Sequence, residues 1–177
     1  MIPLNSAIAS ANSGALTWTR ISSNRRHELR MNGEVVGELT RPSFWSQKFV
    51  AETKAGRWTF RRGGFLCTGA EALDEASGQV VASFKGNWGS GGVLTFADGQ
   101  AFRFTCKGWW RPVWTIATEG GQPVLLLHTR EKTVELAAGA SLPDGRLSLL
   151  IMFAWYRKLQ ADEDAASAAV TAAVVAS

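Results

Sequence analysis

Nucleophilic catalysis needs a nucleophile held beside a base, and metal chemistry needs several donors at fixed spacing. This 177-residue chain offers two histidines, His27 and His128, and two cysteines, Cys67 and Cys106. Neither histidine falls in a triad or metal-ligating motif, and no CxxC or Cys/His cluster occurs. The thiols therefore read as free, buried side chains, and the expectation is a non-enzymatic protein without metal or cofactor. The glycine-rich run Gly86-Asn-Trp-Gly-Ser-Gly-Gly92 would cradle a phosphate only at a helix N-terminus. It lies between two strand-like runs and reads as a hairpin loop.

Binding chemistry is better represented. Residues 105–114 read TCKGWWRPVW, three tryptophans interleaved with a lysine and an arginine. Such a stretch can stack bases, hold anionic headgroups at a membrane interface, or simply line a core. The candidate ligand-binding residues are Arg61, Arg62, Lys85, Lys107, Trp109 and Arg111. On a strand, Arg103 and Lys107 face outward, while Trp110 and Trp114 share the inward parity of Phe102, Phe104 and Cys106. A parity shift at Gly108 or Pro112 would turn Trp109 outward among the cations. The alternative is ordinary solvent-facing charge over a tryptophan-rich core.

Net charge is +4, but Asp162, Glu163 and Asp164 sit together after the last basic residue, leaving residues 1–160 at +7 (19 basic against 12 acidic). That balance suits an anionic partner without requiring one. The basic residues are dispersed along the chain rather than clustered in one segment, which disfavours nucleic acid. The N-terminal MIPLNSAIASANSG lacks both a basic region and a sustained apolar run, so no signal peptide is expected and a cytoplasmic location follows.

The elements that must position these residues are short alternating runs broken by turn chemistry. Asn32-Gly33 and Asp98-Gly99 are type I′ hairpin signals. Strands are expected near 16–21, 26–32, 34–40, 47–53, 57–62, 65–69, 71–76, 79–85, 92–97, 100–107, 112–118, 122–129 and 132–137. The short gaps require antiparallel neighbours. Gly33-Glu-Val-Val, Gly78-Gln-Val-Val and Gly121-Gln-Pro-Val echo one another at intervals of 45 and 43 residues, a supersecondary repeat too few in copies for a propeller.

The segment SLPDGRLSLLIMFAWYRKLQ, residues 141–160, fixes the architecture. Ser141 and Asp144 resemble a capping box, with Pro143 in the first turn. Between Arg146 and Arg157 only Ser148 is clearly polar, so the helix is apolar on every side and must be enclosed. Ten residues rise about 15 Å, too little to cross a bilayer. A mainly β chain can enclose a helix if about 12 strands close into an antiparallel barrel, since eight leave room only for side chains. The alternative is a β-sandwich with the helix on one face. The expected organisation is a flexible segment at 1–14, one barrel domain at 15–160 with a central helix near 142–160, and an Ala-rich flexible tail at 161–177.

About a dozen strands, GxVV-type hairpins, Trp-rich strands and the closing LSLLIMFAWY helix resemble the tubby C-terminal-like superfamily, which includes tubby domains, phospholipid scramblases and LURP-one-related proteins. The likeness covers residues 15–160, and the LURP-one-related proteins are nearest in size. The scramblase Cys-rich stretch and calcium-binding segment have no counterpart, since Glu71, Asp74 and Glu75 lack the spacing of a calcium loop. The resemblance implies a non-enzymatic barrel that binds anionic lipid headgroups or a membrane surface through a basic patch. The alternative function is an intracellular protein-interaction or scaffold module of unknown partner.

Overall fold

The structure, a computed structural model, describes residues 15–22, 25–43, 45–63, 69–87, 91–108, 110–139 and 141–175. Twelve strands follow one another: β1 (Leu16–Ser22), β2 (Arg26–Met31), β3 (Glu34–Thr40), β4 (Phe49–Thr53), β5 (Gly56–Gly63), β6 (Gly69–Asp74), β7 (Val80–Gly86), β8 (Gly92–Phe96), β9 (Ala101–Lys107), β10 (Val113–Thr118), β11 (Pro123–His128) and β12 (Thr133–Leu136). Each pairs antiparallel with its sequence neighbour, and β1 pairs with β12 to close the barrel. One helix, α1 (Asp144–Val175), follows β12.

Closure leaves no edge, and alternation along each strand sends one face inward. Trp58 and Phe60 on β5, Phe102 and Phe104 on β9, and Trp114 and Ile116 on β10 are all buried. They meet Leu147 to Tyr156 of α1, every one of which is at most 5% exposed. Enclosure of the apolar helix on all sides is thus realised, and the sandwich alternative is excluded.

The aromatic residues are the packing between wall and helix. Trp18 stacks on Trp155 with centroids 5.0 Å apart. Phe60, Phe84 and Phe104 surround Phe153 at 5.2, 5.7 and 6.0 Å. Phe49 and Phe60 close on Tyr156 at 5.5 and 5.3 Å. Such contacts contribute about 0.5–1.5 kcal/mol each beyond burial. On the β3 side the wall comes closest at Gly37, where a Cβ would stand 3.1 Å from Met152 Sδ.

Several local expectations need correction. The strand expected at 71–76 is β6, which starts two residues earlier and ends at Asp74, while the strand expected at 65–69 lies, but for Gly69, outside the described residues. Asn32 and Gly33 both have positive φ, 51° and 85°, as a type I′ turn requires. At Asp98-Gly99 only the glycine does; Gly99 N–H donates to Phe96 O and Phe96 N–H to Gln100 O. This is a three-residue loop closed by a left-handed glycine, and Gly121 ends the β10–β11 loop with the same bonds. Gly33, Gly78 and Gly121, the glycines of the internal echo, all have positive φ and lead into β3, β7 and β11. The echo therefore marks every fourth strand around the barrel.

Helix α1 begins at Asp144, with Pro143 O accepting from Arg146 and Leu147 N–H. The cap position is Pro143 rather than Ser141, and Asp144 meets the helix dipole in the first turn. The helix does not end near 160 but runs on to Val175, exposed from Asp164 onward as far as its side chains are described. Among the described residues, no helix is long and apolar enough to cross a membrane.

Candidate binding surface at one mouth of the barrel

An up-and-down barrel sends alternate hairpin loops to opposite mouths. The β2–β3, β4–β5, β6–β7, β8–β9 and β10–β11 loops lie at the mouth where α1 starts, which we call proximal. Arg146 anchors that start to Asp98 at 2.6 Å and also bonds Gln100, both on the β8–β9 loop. The remaining loops lie at the distal mouth, where α1 leaves. Acidic residues outnumber basic ones proximally, with Glu52, Asp74, Glu75, Asp98, Glu119 and Asp144 against Lys54, Arg57 and Arg146. Cations gather distally: Arg25 and Arg26 at β1–β2, Arg41 and Lys48 at β3–β4, Lys107 and Arg111 at β9–β10, Arg130 and Lys132 at β11–β12.

The candidate residues are all at the distal mouth, but they divide into two groups, apart from Trp109, which lies outside the described residues. Arg61 points outward and is bound to Glu71 of β6, with nitrogen–oxygen distances of 2.7 and 2.9 Å. Arg62 has the inward parity of Phe60, and its guanidinium bonds Asp164 of α1 at 2.6 Å. Partial burial opposes the Arg62 charge, but the hydrogen bond and charge of Asp164 outweigh it and raise its pKa. Both arginines are committed to carboxylates.

Lys85, Lys107 and Arg111 are exposed, and no carboxylate among the described residues bridges them. Lys85 is paired across the ladder with Val93, and Val93 with Arg103, so Lys85 and Arg103 stand outward on either side of one valine. Two strand spacings put them about 10 Å apart across the sheet. Lys107 is on the same outer face of β9, four residues further toward the rim. Arg103 is exposed and likewise unbridged among the described residues.

The tryptophans require a correction. Trp114 is buried as expected, but Trp110 is 72% exposed rather than inward. Strand β9 stops at Lys107 and Gly108 turns with φ 92°, its hypothetical Cβ 2.6 Å from Arg111 O, so strand parity is lost there. The Arg130 guanidinium lies 5.8 Å from the Trp110 ring. A second exposed tryptophan, Trp45 at 88%, is on the β3–β4 loop of the same mouth. Arg103 and Arg130 escaped the sequence reading as site residues. For Arg130 the signal was available, since every second hairpin of such a barrel shares a mouth.

Beside α1 the distal mouth holds a buried polar network. Arg41 bonds both Glu163 oxygens, at 2.6 and 2.9 Å, with its guanidinium 4.7 Å from the Phe49 centroid. Arg157 bonds Gln160, lies 4.5 Å from the Phe84 centroid, and has its pKa lowered by burial. Gln160 in turn donates to Tyr156 Oη at 2.6 Å, and burial raises the Tyr156 pKa, keeping the phenol neutral. Strand ends supply Arg41 and Arg62, the helix supplies Arg157, and all three need the fold to meet.

Neither histidine is set beside a nucleophile or a metal-ligand cluster among the described residues. His27 is buried on β2, and His128 is 3.3 Å from Glu135 on the outer wall. Among the described residues no three His, Cys, Asp or Glu side chains gather as a metal site. Comparison with known protein families, with curated proteins and with solved structures finds no match to this chain.

Proposed function

We propose that this protein is a non-enzymatic, tubby-like barrel that binds anionic lipid headgroups at a membrane surface through its distal rim. The observation that carries the reading is the group of exposed cations Lys85, Lys107 and Arg111, unbridged among the described residues, on the same rim as the exposed Trp110–Arg130 pair, with Arg103 on the adjoining outer wall. Tryptophan favours the depth of lipid headgroups, and each cation near an anionic surface contributes about 1 kcal/mol. Four such cations give a modest attraction that suits the anionic cytoplasmic leaflet. The closed twelve-strand barrel around a C-terminal helix supports the likeness to the tubby-like superfamily.

Co-sedimentation with vesicles of phosphatidylcholine and phosphatidylserine tests it. Lys85→Glu with Lys107→Glu should weaken binding by roughly 30-fold or more, two charge reversals at no less than 1 kcal/mol each. Arg61→Gln, which removes a cation already held by Glu71, should have a small effect. Equal sedimentation of the wild type with neutral and anionic vesicles would sink the reading.

The second reading, a protein-interaction module, is favoured by a groove of about 270 Å³ at the proximal mouth, lined by Trp58, Val81, Phe96, Pro143 and Leu149. Val81→Glu, at a half-buried position of the groove, should abolish a protein complex without changing vesicle binding.

A further inference from the structure

We propose that the groove at the proximal mouth is filled by Ile2 and Leu4 of the same chain, which lie outside the described residues, so that any partner of the groove must first displace them. The contact is at the opposite mouth from the cationic rim and does not depend on lipid binding there.

The groove, about 270 Å³, lies between the β5–β8 part of the wall and the first turns of α1. Its apolar floor is in place before anything binds. The Trp58 ring lies against the backbone of Gly56, where a Cβ would stand 2.7 Å from it. Phe96 has Phe102 at 5.8 Å between centroids and the Arg146 guanidinium at 4.8 Å. Pro143 is exposed, Val80 is 39% exposed and Val81 is half-buried, so apolar surface at this mouth is left to water by the described residues. Covering such a preformed hollow with an apolar side chain is favourable, because the wall has nothing to reorganise.

The topology brings one apolar segment to this mouth. The β1–β2 loop is distal, so β1 starts at the proximal mouth and residues 1–15 enter the barrel there. Those residues include no Asp, Glu, Lys or Arg, and they meet the acidic excess of the proximal loops without repulsion. Their densest apolar stretch is Met1 to Leu4. Pro3 holds the residue before it extended, and on an extended chain Ile2 and Leu4 point to the same side. Two branched side chains are thus presented together at small conformational cost.

Distance selects this stretch over the rest of the segment. Around the ring, β5 is four strands from β1 and β7 is six. At about 4.8 Å per strand the groove stands roughly 20–30 Å from Leu16 along the rim, and strand tilt lengthens that path. An extended chain spans about 3.3 Å per residue, so Leu4 reaches about 40 Å from Leu16 and Ile8 only about 26 Å. Leu4 and Ile2 can span the groove, and Ile8 stops short of its far side.

Nuclear magnetic resonance of the full chain with labelled Ile, Leu and Val methyls tests the contact. Nuclear Overhauser cross-peaks should join the Ile2 and Leu4 methyls to those of Val81 and Leu149. Val81→Glu should erase them and return the Ile2 and Leu4 methyls to the shifts of an unstructured peptide. Ile2→Asp with Leu4→Asp, which leaves the barrel core untouched, should move the Val81 and Leu149 methyl resonances. In a mixture of differently labelled chains, cross-peaks between chains would assign the groove to a second copy and overturn the intramolecular contact. Ile2 and Leu4 methyls at unstructured shifts in the wild type, or Val81 and Leu149 methyls unmoved by Ile2→Asp with Leu4→Asp, would overturn it too and leave the groove to a separate protein.

Discussion

His27 stands on the inner face of β2 with its ring 6.0 Å from Trp155, and neither ring nitrogen has a partner among the described residues. Burial, and then the positive charges of Lys158, Arg20 and Lys132, push its pKa down to about 4 from 6.5. The folded protein therefore binds fewer protons at His27 than the unfolded chain does between those two values. Stability from this residue is fully present above pH 6.5 and is lost as pH falls toward 4, by at most about 1.4 kcal/mol per unit. Urea unfolding at pH 7, 6, 5 and 4 should show the slope, and His27→Leu should flatten it. An identical pH profile in the variant would show that His27 carries no such linkage. The same residue illustrates why histidine was uninformative about catalysis: its neighbours here are an indole and cations, not a nucleophile.

Helix α1 is the core element, because the barrel wall has no opposite sheet to pack on. An aspartate in place of Leu150, 0% exposed in the apolar core, would be an unpaired buried charge costing several kcal/mol, a large part of ordinary domain stability. Leu150→Asp, and a chain ending at Ser141, should lose cooperative thermal unfolding. Removing the residues after Asp164 should leave the unfolding temperature within a few degrees, since the described side chains there are exposed. A chain ending at Ser141 that melts like the full protein would refute the helix as core. The helix's apolar decade was plain in the sequence, but its true length was not. Residues 161–171 bury little, so their helical state has no periodic signature and follows from continuing a helix already nucleated inside the barrel.

At the scale of the whole molecule, the barrel is electrically polarised along its helix, with acidic residues in excess where α1 starts and basic ones in excess where it leaves, Glu131, Glu163 and Asp164 included. On an anionic vesicle this polarity should orient the distal mouth toward the lipid, and the attraction should be screened. Raising salt from about 0.05 M to 0.5 M shortens the Debye length from roughly 14 to 4 Å and should release most of the bound protein. Salt-independent sedimentation would instead point to apolar insertion and away from the cationic rim.

The sequence by itself narrowed the fold to a closed barrel or a sandwich and favoured the barrel, and closure of β1 on β12 decided between them. Asn32-Gly33, the period-two strands and the helix apolar on every side are local patterns whose physical consequences admit few architectures. It also identified a set of candidate cations at what proved to be one mouth. What only the tertiary structure decided is which of them are available. Arg62 meets Asp164 across 102 residues and Arg41 meets Glu163 across 122, so nothing local reveals that these guanidiniums are occupied. Trp110 escapes the wall because Gly108 takes a left-handed turn after Lys107, and no strand parity survives such a turn. Charge pairing is set by distance in space, and the barrel brings together ends of strands that the chain keeps far apart.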